Sequence, residues 1–286
     1  MSIATTHCDP IRFVFGNAVR RGVLSVKTPL LSGQADYLAN ENRSRICQFP
    51  VSEPTVIECQ LLNQRHIDAI SLSLHNLSIH ATVQFECLGN DGSVLADRLF
   101  EPPPSTGQLP VGTVWRVGID PFDPPPPDAK PYPSTFAVWL DEPVTADRLR
   151  VTLYDPKAVG GYSRLGMLFA GQSVRLTRGF EYGAPLKALT DGEVTRSASG
   201  HAIRSKLRRH AKAWSVSLAD MPDRDRQAIY AADAAYPNEP VLVSGYPSGP
   251  DWQQEQYNLL ALVQQSPEYK HDYYQGHSTA LNLLEV

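Results

Sequence analysis

The sequence lacks the features that mark membrane-spanning and disulfide-stabilised proteins. No apolar run approaches the roughly 20 residues that a transmembrane helix needs. The four cysteines, Cys8, Cys47, Cys59 and Cys87, form no CxxC pair, which favours reduced thiols in a cytosolic protein. The N-terminus has no basic flank followed by an apolar core, so we expect no signal peptide. If the protein works outside a cell, a route other than secretion takes it there.

An excess of charge of one sign is also missing. The formal net charge is -4 and the isoelectric point is about 6.1, so the whole molecule lacks the basic surface of a nucleic-acid-binding protein. Hydrophobic residues make up 42% of the chain and charged residues 20%, which is typical of a globular protein rather than a disordered one. A length of 286 residues allows two ordinary domains.

The motifs that carry chemistry are missing as well. His75 and His80 have no HExxH context, which predicts a turn residue and a strand-edge residue rather than metal ligands. The segment 245–249 (GYPSG) places its serine one position too late for the GxSxG motif of hydrolases. The scattered glycines form no phosphate loop ahead of a helix. The sequence therefore predicts no catalytic, cofactor-binding or metal-binding residue, and no enzyme activity.

Short alternating segments fill the first part of the chain. Apolar residues alternate with polar ones or run through short stretches bounded by turn residues, which is the pattern of β-strands. The segments are 55–62, 67–74, 81–88 and 94–100. Many short strands separated by turns predict a β-sandwich.

The segments 148–154 and 163–170 are the clearest strand signals. Between them lie Asp155-Pro156 and Gly160-Gly161, which predict a turn, so we expect a hairpin at the closing edge of the sandwich. Gly166 interrupts the second segment. A glycine within a strand predicts a bulge or a close approach of another chain segment.

A proline-rich loop at 101–133 interrupts the strand pattern. It holds eleven prolines, which cannot donate the backbone hydrogen bonds of a central strand. Two interpretations stay open. The loop is a polyproline ligand for a partner domain, or it is an extended segment packed on its own sandwich or on a neighbouring subunit.

The last part of the chain has a mixed order of strands and a helix. Asp220 and Pro222 predict the start of a helix over about 221–236, which Pro237 ends. Strand-like segments follow at 241–243, 257–263 and 279–286. We therefore predict two domains, 1–172 and 173–286, and we expect proteases to cut first between 171 and 188 or in the proline-rich loop.

Two longer segments resemble a known family. Residues 67–85 (IDAISLSLHNLSIHATVQF) and 161–171 (GYSRLGMLFAG) resemble jelly-roll domains in tail-tip and baseplate proteins of tailed bacteriophages. The basic segment after Ser199-Gly200, the helix after Leu218 and the C-terminal Leu-Leu-Glu are similar to the same group. The resemblance implies a mainly β fold: an N-terminal, galactose-binding-like jelly-roll β-sandwich, followed by a ring-forming β domain with one α-helix.

The resemblance also implies a function and partners. A distal-tail-like protein is a structural component of the virion that links the tail tube to tip or fibre proteins. Its partners are copies of itself in a ring, expected to be hexameric, and the tube, hub and fibre proteins of the tail. Such a protein assembles in the host cytoplasm and leaves with the particle. It needs no cofactor, no membrane segment and no specific contact with nucleic acid.

One strand is predicted to form the contact between subunits of the ring. Basic residues occupy one parity of the segment 204–212, as on a strand with one charged face. In a ring these cations could meet acids of the next subunit, with an apolar residue buried between them. The predicted interface residues are Arg204, Lys206, Arg208, Lys212, Trp214, Asp223 and Asp225. A solvated basic face is the open alternative.

A carbohydrate-binding module that recognises a host surface glycan is the alternative function. Galactose-binding-like jelly rolls also occur in carbohydrate-binding modules. Aromatic side chains at loop ends could stack on sugar faces, and the candidates are Tyr37, Trp115 and Trp139. Particle composition and glycan binding by the isolated protein would separate the two functions.

Overall fold

The structure is a computed structural model of the chain. It describes residues 10–286 except 43, 79, 101–133, 159, 182, 191–193, 197–201, 205–209, 250, 266 and 274–275. The proline-rich loop, with Trp115, therefore lies outside the described residues, as do Lys206 and Arg208 of the predicted interface.

Strands dominate the described residues. In chain order they are β1 (Arg12–Phe15), β2 (Val23–Val26), β3 (Cys47–Pro50), β4 (Thr55–His75), β5 (Thr82–Leu88), β6 (Val94–Phe100), β7 (Ser134–Tyr154), β8 (Tyr162–Leu165), β9 (Met167–Gly171), β10 (Ser173–Arg175), β11 (Leu186–Thr190), β12 (Val194–Arg196), β13 (Ala202–Arg204), β14 (His210–Met221), β15 (Val241–Ser244), β16 (Asn258–Val263), β17 (Lys270–Tyr273) and β18 (Gly276–Glu285). The α-helices are α1 (Asp223–Ala235) and α2 (Asp251–Tyr257), and short 3-10 helices span Val19–Arg21 and Ala35–Ala39. None of the described helices is long and apolar enough to cross a membrane.

Two long strands organise the first part of the fold. β4 and β7 have 21 residues each and pair antiparallel with register shifts, which bend both strands. The first half of β4 also pairs with β2, and the second half pairs with β9. The end of β7 pairs with β5, which pairs with β6. One bent pair of strands thus contributes to both layers of a sandwich.

The core of the sandwich lies between these layers. Ile57 from the first half of β4 and Leu72 from the second half belong to one buried cluster, together with Phe85 and Phe136. In the first half of β4, buried and more exposed residues alternate, whereas 67–73 are all buried. The second half therefore packs on both of its faces. This is the predicted jelly-roll β-sandwich, and the prediction of a mainly β fold is confirmed.

A second sheet packs against the sandwich. Its strand order is β10-β1-β15-β16-β18-β14-β11, with β17 paired to β18. One face packs against α1, through residues such as Val243 and Ile229. The other face places Leu242 and Leu260 against Phe169 of the jelly roll. Alternation along each strand gives the sheet two apolar faces, so it lies between the sandwich and α1. Ring formation by this part of the chain stays a prediction.

Strand β1 precedes the predicted domain boundary at 172/173 but belongs to the sheet formed by residues after that boundary. β1 pairs with β10 and β15, so it completes the sheet that residues after 172 otherwise form. The jelly roll is thus inserted in sequence between two adjacent strands of the second sheet. The division into two domains stays a prediction, and β1 is the element that it would separate from its sheet.

The predicted hairpin around 155–161 is wrong, although both of its strands exist. The end of β7 pairs with β4 and β5, whereas β8 pairs with β3 and β9 pairs with β4. The expected close approach at Gly166 is confirmed, because a Cβ there would lie 2.6 Å from the Cβ of Leu74. Sequence alternation predicted the strands but carried no information about their partners.

The predicted helix exists, with a different start. Asp220 lies on β14, whose pairing with β18 continues to Met221, so it cannot cap the helix. It instead forms an ion pair with Arg178, and α1 begins at Asp223 after Pro222. The sequence missed α2, a helix of seven residues directly before β16.

Candidate ligand-binding site

A cavity of about 270 Å³ opens where the chain passes between the second sheet and the jelly roll. Four segments meet there: the turn after β1, the middle of β4, the connection from β9 to β10, and the C-terminal end of α1. The lining residues are Phe15, Gly16, Asn17, Ala18, Arg21, Gln64, Arg65, His66, Gly171, Gln172, Val174, Ala232 and Tyr236.

The buried carboxamide of Asn17 fixes the floor of the cavity. Its Nδ2 donates to the carbonyl of Leu168 at 3.0 Å. Its Oδ1 accepts from the backbone N–H groups of Val19 and Ala170, both at 3.1 Å. The backbone of Ala18 adds a bond to the carbonyl of Ala170 at 2.8 Å. These bonds join the segment that enters the jelly roll to β9, the strand that leaves it, and so hold the floor of the cavity in place.

An aromatic ring at the end of α1 closes one side. Tyr236 packs against Gly16, where a Cβ would lie 2.3 Å from a ring atom. Gly16 has φ +75°, a conformation that glycine adopts without strain. The guanidinium of Arg21 lies 5.1 Å from the centre of the Tyr236 ring, within cation–π range. The side chain of Arg21 also comes within 4.0 Å of Glu239.

A bulge in β4 supplies the opposite side. Pairing with β7 jumps from Gln60↔Arg148 to Arg65↔Ala146, so residues 61–64 are left out of the ladder. Gln64 donates to Asp147 at 3.2 Å, and His66 Nδ1 lies 3.0 Å from the hydroxyl of Thr145. These contacts hold two polar side chains at the rim.

A buried carboxylate fixes the connection from β9 to β10. Asp68 is only 2% exposed. It accepts hydrogen bonds from the backbone N–H and the hydroxyl of Ser173, both at 2.6 Å, and lies 3.5 Å from Arg175. Ser173 follows Gln172 directly, so these bonds hold the cavity wall that Gln172 belongs to.

The cavity lining combines apolar and polar side chains. Its polar groups are amide, guanidinium and imidazole groups, with one phenol ring and a backbone wall. The described lining residues include no serine, threonine or cysteine nucleophile and no carboxylate. In the part of the chain that the structure describes, no group of three or more His, Cys, Asp or Glu residues could hold a metal ion.

The predicted interface residues are not brought together at this site. Arg204 lies on β13, which pairs with β12, whereas Lys212 lies on β14 in the second sheet. Lys212 bonds within its own chain, through its N–H to Glu285 at 2.9 Å and its Nζ to the carbonyl of Gln256 at 3.4 Å.

Two of the predicted interface residues need correction. Trp214 is 1% exposed and packs against the rings of Phe180 and Tyr257, at 5.1 and 5.4 Å. Asp225 is 4% exposed and accepts from the N–H of Thr177 at 2.6 Å. Both are part of the interior of their own chain, because their side of β14 and of α1 faces the core. They cannot meet a second copy while that core is intact.

Asp223 remains accessible. Its Oδ1 lies 2.6 Å from Nε2 of His277, and this hydrogen bond lowers the pKa of Asp223. The side chain is 53% exposed. The predicted assembly, with Arg204, Lys212 and Asp223 among its contacts, stays a prediction.

The aromatic candidates for sugar stacking are also placed differently. Trp139 packs between the jelly roll and the second sheet, under the guanidinium of Arg12 at 5.7 Å. Tyr37 packs against the sandwich core with Arg45 at 5.7 Å. The structure instead places Phe15 and Tyr236 at the cavity, and the sequence predicted Tyr236 only as a helix residue.

Comparisons with known proteins give low similarity. No protein-family model and no curated protein matches the sequence. Among solved structures, the family 32 CBM from C. perfringens NanJ in complex with galactose is 14% identical, with a TM-score of 0.35 over 54% of this chain and 97% of its own. The lectin domain of lectinolysin complexed with Lewis B antigen is 11% identical, with a TM-score of 0.37 over 56% of this chain and 98% of its own.

A third match has the same character. A Streptococcus pneumoniae fucose binding module is 8% identical, with a TM-score of 0.36 over 55% of this chain and 95% of its own. With identities and TM-scores this low, these matches carry no information about the ligand of this chain.

Proposed function

We propose that this protein is a non-catalytic carbohydrate-binding protein, and that the cavity beside Tyr236 is its binding site. The observation that carries the proposal is the make-up of the cavity. Ligand sites are concave and combine apolar walls with a few convergent polar groups. Here the rings of Phe15 and Tyr236 line a cavity together with planar amide, guanidinium and imidazole groups, which suits a ligand with an apolar face and many hydroxyl groups.

One polar side chain of the lining is free to hydrogen-bond a ligand, which supports this function. Gln172 is exposed and has no side-chain partner among the described residues, so its amide can both donate to and accept from hydroxyl groups. Asn17, by contrast, is fully engaged and acts as scaffold. In the cavity, Asn17 is thus held by its own chain, whereas the side chain of Gln172 is free to hydrogen-bond a ligand.

The test is binding of saccharides to the full chain, by a glycan array followed by calorimetry on the strongest hits. Gln172→Ala removes this free amide, and we expect about a two- to tenfold loss of affinity, because one hydrogen bond is worth roughly 0.5–1.5 kcal/mol. Gln84→Ala is the control, since Gln84 lies on β5, bonds to Asp97 and does not line the cavity. No saccharide binding by the wild type, or equal affinity for Gln172→Ala, would contradict the proposal.

We propose a structural role in a phage tail as a second function, which the resemblance suggests and which is compatible with the first. One observation favours it: in the described residues β11 lies at an edge of the second sheet, paired only with β14, and its Leu189 is 41% exposed. A free edge can pair with a strand of another copy. In this proposal the protein is located in the virion tail.

Electron microscopy and sedimentation of the purified chain test this second function. A closed ring formed by the purified chain would support it. So would incorporation of the protein into particles, if replacing Lys206 and Arg208 by Glu reduces that incorporation. A strictly monomeric chain that is missing from purified particles would exclude it.

A further inference from the structure

We propose that the cavity binds an acidic sugar and that Arg65 binds its carboxylate. This inference rests on the proposed carbohydrate binding and specifies the class of ligand. It is drawn from the charges that line the cavity.

The lining residues include two arginines and no carboxylate, and Glu239, which lies within 4.0 Å of Arg21, is outside the lining. Arg21 and Arg65 both line the cavity, with His66 beside them, and no described lining residue is acidic. The chain as a whole has a net charge of -4, so this local excess is not a consequence of composition. A concave site lined by one sign of charge attracts ligands of the opposite sign.

The two arginines differ in how far their own chain engages them. Arg21 stacks on Tyr236 and is near Glu239, as described above. Arg65 is half-buried on β4, and its side chain has no hydrogen bond or ion pair with any described residue. An arginine in such a position is able to bind a carboxylate with two parallel N–H···O bonds.

The surroundings of Arg65 suit a sugar better than a bare anion. Gln172 and the ring of Tyr236 line the same cavity, so a ligand held by its carboxylate can also present hydroxyl groups and an apolar face. The shared chemistry is a carboxylate on a polyhydroxylated ring. A free carboxylate such as acetate carries only the first of these two features.

The experiment compares glucuronate with glucose, which differ by a carboxylate in place of a hydroxymethyl group. Binding to the full chain is measured by NMR at low and at moderate ionic strength. We expect glucuronate to bind at least about tenfold more tightly than glucose, with a preference that falls as salt rises. Arg65→Gln should abolish this preference, and Arg65→Lys should retain part of it because the charge remains.

Two controls separate binding from folding. Arg98→Gln removes an exposed arginine on β6 that contacts the carbonyl of Asp97, and it should bind like the wild type. The urea midpoint of Arg65→Gln should match that of the wild type, since Arg65 has no partner to lose.

The outcomes are distinct. Equal affinity for glucose and glucuronate would overturn the acidic-sugar inference and leave carbohydrate binding intact. Acetate binding as tight as glucuronate would show that the site reads a carboxylate alone, which would also overturn it. An unchanged preference in Arg65→Gln would overturn the role of Arg65. Failure of glucose, glucuronate and every glycan of the array to bind would overturn the proposed function itself.

Discussion

Replacing Asp68 by alanine should destabilise the junction between the jelly roll and the second sheet. Asp68 is buried on β4 and accepts two hydrogen bonds of 2.6 Å from Ser173 on β10. Hydrogen bonds to a charged group contribute about 1.5–3 kcal/mol each, and the substitution leaves the N–H of Ser173 without its acceptor. Because the two bonds share one carboxylate, their energies are not additive. We expect a loss of about 3 kcal/mol in the free energy of unfolding.

The assay is urea unfolding, which should show a lower midpoint with an unchanged slope. Asp141→Ala is the control, because that aspartate is exposed and its side chain has no partner among the described residues. It should change stability by less than about 0.5 kcal/mol. Amide hydrogen exchange adds a local readout, since the N–H of Ser173 should exchange faster in Asp68→Ala. A stability for Asp68→Ala within about 0.5 kcal/mol of the wild type would refute the reasoning.

Two further predictions concern titrating groups. Burial raises the pKa of each of the thiols of Cys47, Cys59 and Cys87 to about 11. In a Cys8→Ser variant, a thiol reagent at pH 8 should therefore react only after urea is added, and fast labelling of the native protein would contradict this burial. Hydrogen bonding from Lys27 and Arg150 lowers the pKa of Glu58 below its ordinary value of 4.5. The contribution of ionised Glu58 to stability should be present above pH 4.5 and be lost as the pH falls through the lower pKa of the folded state. The loss of stability between pH 7 and pH 3, measured by urea unfolding, should therefore be smaller for Glu58→Gln than for the wild type.

The sequence predicted the strands better than their pairing. Alternation located the segment that became β5, because half-buried strands have a period of two residues. It could not show that β4 and β7 pair with each other, since that pairing joins residues between 59 (His75↔Ser134) and 98 (Thr55↔Leu153) positions apart. It also missed that β1 completes the second sheet, because a strand of four buried residues has no alternation that points to one partner.

The candidate site could not be predicted from the sequence, because its residues are also far apart in the chain. Its lining comes from a turn, a strand bulge, a connection and a helix end, and none of these has a motif of its own. Asn17 and Leu168, which form its floor, are 151 positions apart. The one usable signal in the sequence is the Gly16-Asn17 pair, a dipeptide typical of turns, which points to no binding site.

Gly16→Ala tests whether this turn matters for binding as well as for folding. A Cβ at position 16 would lie 2.3 Å from the ring of Tyr236, so the ring must move out of the cavity wall. The positive φ of +75° adds a strain of about 1–2 kcal/mol. Both terms lower stability, but only displacement of the ring should weaken saccharide binding.

Gly183→Ala separates the backbone strain from the displacement of the Tyr236 ring. Gly183 also has a positive φ, +91°, yet a Cβ there meets no described atom within 4 Å. It should show the backbone strain without any effect on binding. We therefore expect Gly16→Ala to be the less stable variant by urea unfolding and to be alone in losing affinity for the saccharide. If the two variants lose equal stability and both bind like the wild type, then Tyr236 is not a fixed wall of the site.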